Sequence, residues 1–381
     1  MLTINLPIAL AGLVVTLIAL WQLYGRYVLP ELRPHFWPAL CAKILGGWAL
    51  GLLYSRFYTS GDTWAMYQDS QMLVEQLGFG KDYFRYIFSI YEVPDALLAQ
   101  TQAPGHKAFW MSLLVGIVGV FSAQNYWLIS LYFSIFSFLG IWAMAQALRH
   151  YLSIPRRILA VCWLYWPSLL VWGSGLLKES LMMGSIGWLI ALSLHFHLGK
   201  SSLRQKFIAA IWASCCAYLL LQVKFYYFAP LLICLGGLWA LWLTKKLWKQ
   251  HKVPTTFALA SLMIGLVFIG EQAYPTLSLK HFPEQIIENQ QHIYRLSSKT
   301  SSIIAYEGIE ANWASIMSFV PQAFIEGSFR PYIWEDGHWL KKLAGFEGLA
   351  LAIAVLWAAS AGIHPRKRLS MRSEERRVGK D

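Results

Sequence analysis

Charge is what this sequence has least of. Only 14% of its 381 residues are Asp, Glu, Lys or Arg, against about 25% in an ordinary soluble domain. That scarcity excludes a disordered chain and an ordinary cytosolic enzyme. Cysteine is sparse too. Cys41, Cys162, Cys215, Cys216 and Cys234 all lie in apolar runs. None has zinc-site spacing, and the adjacent pair cannot form an ordinary bridge. They are expected to be small buried apolar residues. No P-loop, GxGxxG, HExxH, GxSxG or CxxC motif is present, and no internal repeat. The first apolar run has neither a basic leader nor a small-residue cleavage site, so it is expected to be a retained helix.

What the chain has instead is apolar and aromatic mass: 57% hydrophobic residues, with 19 Trp, 19 Tyr and 21 Phe. A membrane-spanning helix needs about 20 mostly apolar residues. The stretches 6–24, 36–54, 127–147, 158–175, 181–198, 207–223, 226–243, 257–270 and 343–363 are candidates. A tenth run, 108–121, is short for a span and suits a re-entrant or interfacial piece. The expected fold is an all-α polytopic bundle of about nine or ten membrane segments with two long extracytoplasmic loops. Two N-terminal helices occupy 1–55 and the first loop, with interfacial helices, 56–107. The transmembrane core spans 108–272 and the second loop 273–340. A last helix with a basic cytoplasmic end occupies 341–371. The run Arg372-Ser373-Glu374-Glu375-Arg376-Arg377-Val378-Gly379-Lys380 matches the translation of a common sequencing adapter. Residues 372–381 are therefore expected to be an artefact, and the native chain to be truncated there.

The net charge of +12 would suggest nucleic acid in a soluble protein. Its distribution says otherwise. The short loops and the tail sum to +15, and the two long loops to −5. Basic loops mark the cytoplasmic side, so both long loops are expected to face out and +12 reports topology. The crossing parity is restored most simply if 108–121 dips in without crossing.

Long loops are where binding and catalysis concentrate. The first opens Gly61-Asp62-Thr63-Trp64-Ala65-Met66-Tyr67, with Trp64, Tyr67, Met72 and Leu77 able to share an apolar side. Asp62 reads either as a helix cap or as a carboxylate poised as base or metal ligand. Asp69 reads as a weaker candidate or a solvated surface residue. His106 and Lys107 follow Pro104-Gly105 at the interface, to meet phosphate or to snorkel. In the centre, Pro167 and the glycines Gly173 and Gly175 precede Lys178-Glu179, either an interfacial pair or part of a site on the same side as Asp62. Lys224 is the one charge in the next outer turn. Near the end of the second loop, Arg330 suits bidentate phosphate recognition or pairs locally with Glu335. Glu347 is an acid inside the last span, a default functional candidate. His195 and His197 have no third ligand nearby in the sequence, so no metal site is expected there.

Together these motifs resemble the GT-C superfamily of polytopic glycosyltransferases, which includes protein mannosyltransferases and aminoarabinose transferases. The resemblance covers roughly residues 54–230. It rests on Gly61-Asp62-Thr63-Trp64-x-x-Tyr67, Pro104-x-His106, and Pro167-Ser168 leading to Lys178-Glu179-Ser180. Phe329-Arg330-Pro331-Tyr332-x-Trp334-Glu335 is similar to a segment in bacterial membrane proteins of this kind. Many relatives carry paired acids in the first loop; here Thr63 follows Asp62. The resemblance implies a bacterial inner-membrane, multi-pass enzyme. It would move a sugar from a polyprenyl-phosphate donor to a glycan, lipid or protein acceptor on the outer face. Asp62 would be the base and Glu179 the second acid. Tyr67, Asp69, His106, Lys107, Lys178, Lys224, Arg330, Trp334 and Glu335 would line the substrates. No cofactor is assigned, a divalent cation near Asp62 and Glu179 is left open, and no nucleic-acid partner is expected. The rival readings are a polysaccharide polymerase or ligase, a transporter or flippase, and a non-catalytic envelope-complex subunit.

Overall fold

Leucine, alanine and aromatic residues in uninterrupted runs leave the backbone one way to satisfy its own polar groups without water, which is the helix. The computed structural model describes residues 6–56, 62–88, 93–103, 105–199, 202–247, 265, 282–296, 306, 308–337 and 339–363. Every regular element among them is helical. Six helices are long and apolar enough to cross a membrane: Leu6–Tyr27, Arg33–Arg56, Tyr126–Leu152, Lys178–Leu198, Leu203–Lys224 and Trp339–Ser360. The chain divides into two units, Met1–Leu266 and Val267–Asp381.

In the first unit, α1 (Leu6–Tyr27) is followed by α2 (Arg33–Arg56), and the two meet near their connection, where Trp21 and Tyr24 lie against Trp37 and Phe36. The long loop that follows is itself helical: α3 (Asp62–Leu77), α4 (Lys81–Phe88), α5 (Asp95–Leu98) and α6 (His106–Phe121). Next come α7 (Tyr126–Leu152), a short α8 (Arg156–Leu159), a π-helical turn Ala160–Leu164, α9 (Pro167–Val171), α10 (Lys178–Leu198) and α11 (Leu203–Leu247).

The packing partners fix the directions. Phe36 meets Trp142, and Trp48 donates its indole N–H to the Trp127 carbonyl, so α2 runs against α7. Gly140 of α7 lies backbone to backbone with Gly184 and Gly187 of α10, where any side chain would hold the helices apart. Tyr151 bonds His195 further along, so α7 and α10 run parallel. The segment between them must therefore return across the bundle.

That return is not one helix. The sequence reads 158–175 as a span; the structure breaks it into α8, a π turn, α9 and an irregular turn through Gly175. Pro167 at the first turn of α9 removes a backbone donor, and Gly175 at φ +68° occupies a conformation that favours glycine. The run 226–243 also differs. At Lys224 the backbone leaves helical geometry, and the chain doubles back along α10 as a shorter apolar helix, Tyr226–Trp239. The expected span 257–270 lies outside the described residues, apart from Gly265.

All these directions leave one end of the first unit with the starts of α1, α3, α7 and α10, the end of α2 and the tip at Lys224. The opposite end carries Arg26, Arg33, Arg149, Arg156, Arg157, Arg204 and Lys206. The loop helices α3 to α6 pack onto the first of these ends. Met66, Trp110, Met111, Tyr126, Leu176, Leu181 and Val223 share one buried cluster there. Four of the five cysteines prove exposed on helix faces and only Cys216 is buried, so the burial expected from their apolar runs holds for that one. An apolar run in such a bundle faces outward as readily as inward.

In the second unit, α12 (Phe282–Leu296), α13 (Trp313–Phe329) and α14 (Trp339–Ile363) are described. Asn312 caps α13 by accepting from the Ser315 backbone N–H at 2.8 Å. The residues after α13 lie against α14, with the Phe329 carbonyl at Gly348 and Ile333 at Gly345.

Candidate functional site at the charged end of the bundle

Five charged side chains from four distant segments meet at the end of the first unit that carries α3. Asp62, the first residue of α3, stands 3.8 Å from the Lys178 ammonium. Glu179, next in the first turn of α10, accepts from Lys224 at 2.5 Å. Lys107, in the first turn of α6, lies over the Tyr226 ring at 5.8 Å. Burial, and the ammonium groups of Lys178 and Lys224, hold its pKa below the ordinary lysine value. Lys224 also lies 6.0 Å from the rings of Tyr226 and Tyr227. The result is three ammonium groups around two carboxylates, backed by two tyrosines.

The two acids are not equivalent. The Asp62 side chain is 65% exposed, whereas Glu179 is 34% exposed and its lysine 19%. Asp62 is thus the accessible carboxylate, loosely paired, and Glu179 is held. Among the described residues no three His, Cys, Asp or Glu side chains gather to hold a metal ion. Each acid here already faces an ammonium group, so this donor set does not fit a divalent cation.

The aromatic residues beside Asp62 fix where it stands. Thr63 shares a short hydrogen bond with the Tyr126 hydroxyl. Trp64 stacks on Tyr126 with centroids 3.9 Å apart, and its indole N–H donates to the Gly51 carbonyl. Tyr67 donates to the Gln124 carbonyl at 2.7 Å and accepts from Gln71. Tyr67 therefore belongs to the scaffold that ties α3 to the start of α7.

Asp69 departs from both sequence readings, substrate contact and solvated surface residue. It is 2% exposed, and its two oxygens accept the backbone N–H groups of Gln102 and Ala103 at 2.8 and 2.9 Å. Burial raises its pKa, against the pull of those two bonds. The face that α3 buries runs through Met66, Asp69, Ser70 and Leu73, one helical repeat apart. Trp64 and Tyr67 are only partly buried. Asp69 is a strut holding the chain just before α6. His106 opens α6 beside Lys107.

The remaining candidates belong to the second unit. Arg330 donates to Glu335 at 2.7 Å and lies 3.6 Å from Glu326. Lys341 closes on Glu335 at 3.0 Å, and the Tyr332 backbone N–H donates to it at 3.1 Å. The Arg330 guanidinium beside Glu335 holds that carboxyl down to about 2. Arg330 and Glu335 thus form the local pair that the sequence left open. Trp334 stacks on Tyr332 and is 75% exposed. Glu347 sits partly buried in α14.

Sequence reasoning missed Lys43. It lies near the middle of α2 at 2% exposure, and its ammonium donates to the Leu169 carbonyl at 2.5 Å. Mid-membrane lysine costs about 2.5–3.5 kcal/mol on insertion scales. A single lysine within the 36–54 run was the available signal. Between α10 and the two halves of α11 lies a cavity of about 630 Å³, lined by apolar groups including Leu189, Phe196, Ala213, Phe228, Leu231 and Trp239.

Compared with family models, with curated proteins and with solved structures, the chain matches none.

Proposed function

We propose that this chain is an integral membrane glycosyltransferase. It moves a sugar from a polyprenyl-phosphate-linked donor to a cell-envelope glycan, lipid or protein acceptor, on the outer face of a bacterial inner membrane. The observation that carries the reading is the meeting of Asp62, Lys107, Lys178, Glu179 and Lys224 at one bundle end. That end lies opposite the basic loops, hence on the outer side by the charge rule.

In this reading Asp62, the accessible carboxylate, takes the proton of the acceptor hydroxyl as its oxygen attacks the anomeric carbon. The bond to the donor phosphate breaks on the opposite face and the configuration inverts. A positioned general base of this kind contributes about 10²–10⁴-fold. Negative charge grows on the leaving phosphate, and Lys107 and Lys224 stabilise it, with His106 at the same helix start. Glu179 orients Lys224, and Lys178 stands beside Asp62. The cavity between α10 and α11 receives the lipid tail. The start of α6 lies beside Tyr226, and Gln124, just past its end, lies at Tyr67; in this reading α6 dips in without crossing, which would keep the parity of the crossings.

A transporter is the second reading, and one observation favours it. A discontinuous crossing segment beside a mid-membrane lysine is a feature of transport folds. No second broken segment at a matching position occurs among the described residues. Deleting the gene and comparing envelope glycans by mass spectrometry separates the two. A transferase leaves one glycan short of a single sugar. Loss of a whole solute or lipid-linked unit from the outer face would overturn the enzyme reading.

A further inference from the structure

The broken crossing segment is held together by side chains from its neighbours. Lys43 of α2 donates to the Leu169 carbonyl at 2.5 Å. Ser137 of α7 donates to the Gly173 carbonyl at 2.6 Å. Ser134 of α7 accepts from the Gly175 backbone N–H at 2.9 Å. Within the segment, Ser174 donates to the Leu170 carbonyl at 2.5 Å. Irregular backbone at membrane depth persists only where such groups are satisfied by protein. Three of these donors and acceptors are serines. The fourth is a lysine, a far costlier residue to bury in this place.

The fit around that lysine is close. A Cβ at Gly173 would lie 2.9 Å from the ammonium, and one at Gly47 would lie 2.6 Å from the Gly175 nitrogen. Three residues beyond Gly175 the chain enters α10, whose first residues are Lys178 and Glu179. The ammonium thus grips the segment nine residues before the point where it delivers two charged side chains to the site.

We propose that Lys43 is a positioning residue: its hold on the Leu169 carbonyl pins the broken segment and thereby sets Lys178 and Glu179 beside Asp62 and Lys224. The inference rests on reading that end as the site, but its test needs no transfer assay. Ser180, in the first turn of α10, is fully buried and donates to the Leu177 carbonyl. A Ser180→Cys reporter, in a chain whose five native cysteines are replaced by alanine, is labelled from the outer side with a membrane-impermeant maleimide. Glu75→Cys, exposed on α3, and Ser112→Cys, buried in α6, serve as controls.

In the Lys43 parent the reporter is protected. With Lys43→Met, and independently with Gly173→Ala, its labelling rises at least tenfold, while Glu75→Cys is unchanged and Ser112→Cys stays protected. A Lys43→Gln chain, which keeps a donor, falls between. Protection of the reporter in both variants overturns the proposal. Equal opening of Ser112→Cys also overturns it, because the lysine would then support the bundle generally. If Lys43→Met does not fold, Gly173→Ala decides alone. Failure of the transferase reading would show in the envelope glycans and would leave these rates unchanged.

Discussion

In the first unit Glu179 finds its lysine 45 residues away, and Asp62 pairs with a lysine carried by α10, beyond six intervening helices and a π turn. In the second unit Arg330 finds Glu326 four residues before it and Glu335 five after it. The local cluster closes a turn and forms whenever its own short segment folds. The distant one exists only when four segments have been brought together. Nothing in the folding of a single turn requires those five charges to meet, and holding ammonium groups together costs energy. That cost marks the distant cluster as the place where chemistry is expected.

The sharpest way to break this comparison is Asp62→Asn. The amide keeps the size of the side chain and removes the carboxylate proposed as the base. Transfer is expected to fall about 10²–10⁴-fold with normal membrane expression, measured by sugar incorporation in membranes. An active variant would reduce Asp62 to the helix start it also is.

Lys224→Met should have the next largest effect. It strands Glu179 at a half-buried position, which costs about 1–3 kcal/mol. The expected result is a lowered melting temperature of the purified protein, partly restored by adding Glu179→Gln. A matching loss from Lys341→Met would show that the two clusters are energetically alike after all.

The second cluster is better probed by pH. Glu335 is lowered from 4.5 to about 2 when folded, so it stabilises its fold fully above pH 4.5. That contribution is lost as pH falls through the folded value near 2. Unfolding of the second unit followed by Trp fluorescence should be flat from pH 7 to 5 and weaken between pH 4.5 and 2. Glu335→Gln should flatten that slope.

Tyr126→Phe should have the smallest effect. It keeps the stack on Trp64 and deletes only the bond to Thr63, for about 1 kcal/mol of stability. Chemical denaturation measures it, and a loss several times larger would place Tyr126 inside the site.

Much of the helical frame was legible in the sequence because long apolar runs admit little else. The charged residues of the site were legible as individuals, since charge is rare in this chain. Their pairing was not. A sequence shows that Lys178, Glu179 and Lys224 stand at span ends, but which lysine faces which acid depends on helix rotation. Asp69 was misread because its partners are backbone N–H groups at Gln102 and Ala103, which carry no sequence signature. The segment around Pro167 was read as a span because its apolar run hides the break. What permits the break is serine on α7 and lysine on α2, groups belonging to other helices.

The non-helical residue at Lys224 has a consequence for the order in which the protein is made. Asp62 leaves the ribosome first, Lys107 later, Lys178 and Glu179 after that, and Lys224 last. Its lysine sits at the far end of the first arm of α11, so it reaches Glu179 only when that arm is inserted. A nascent chain that has inserted only as far as α10 holds Glu179 without this lysine. Completion of the charge set is thereby tied to completion of the bundle, and a half-inserted chain carries an incomplete site.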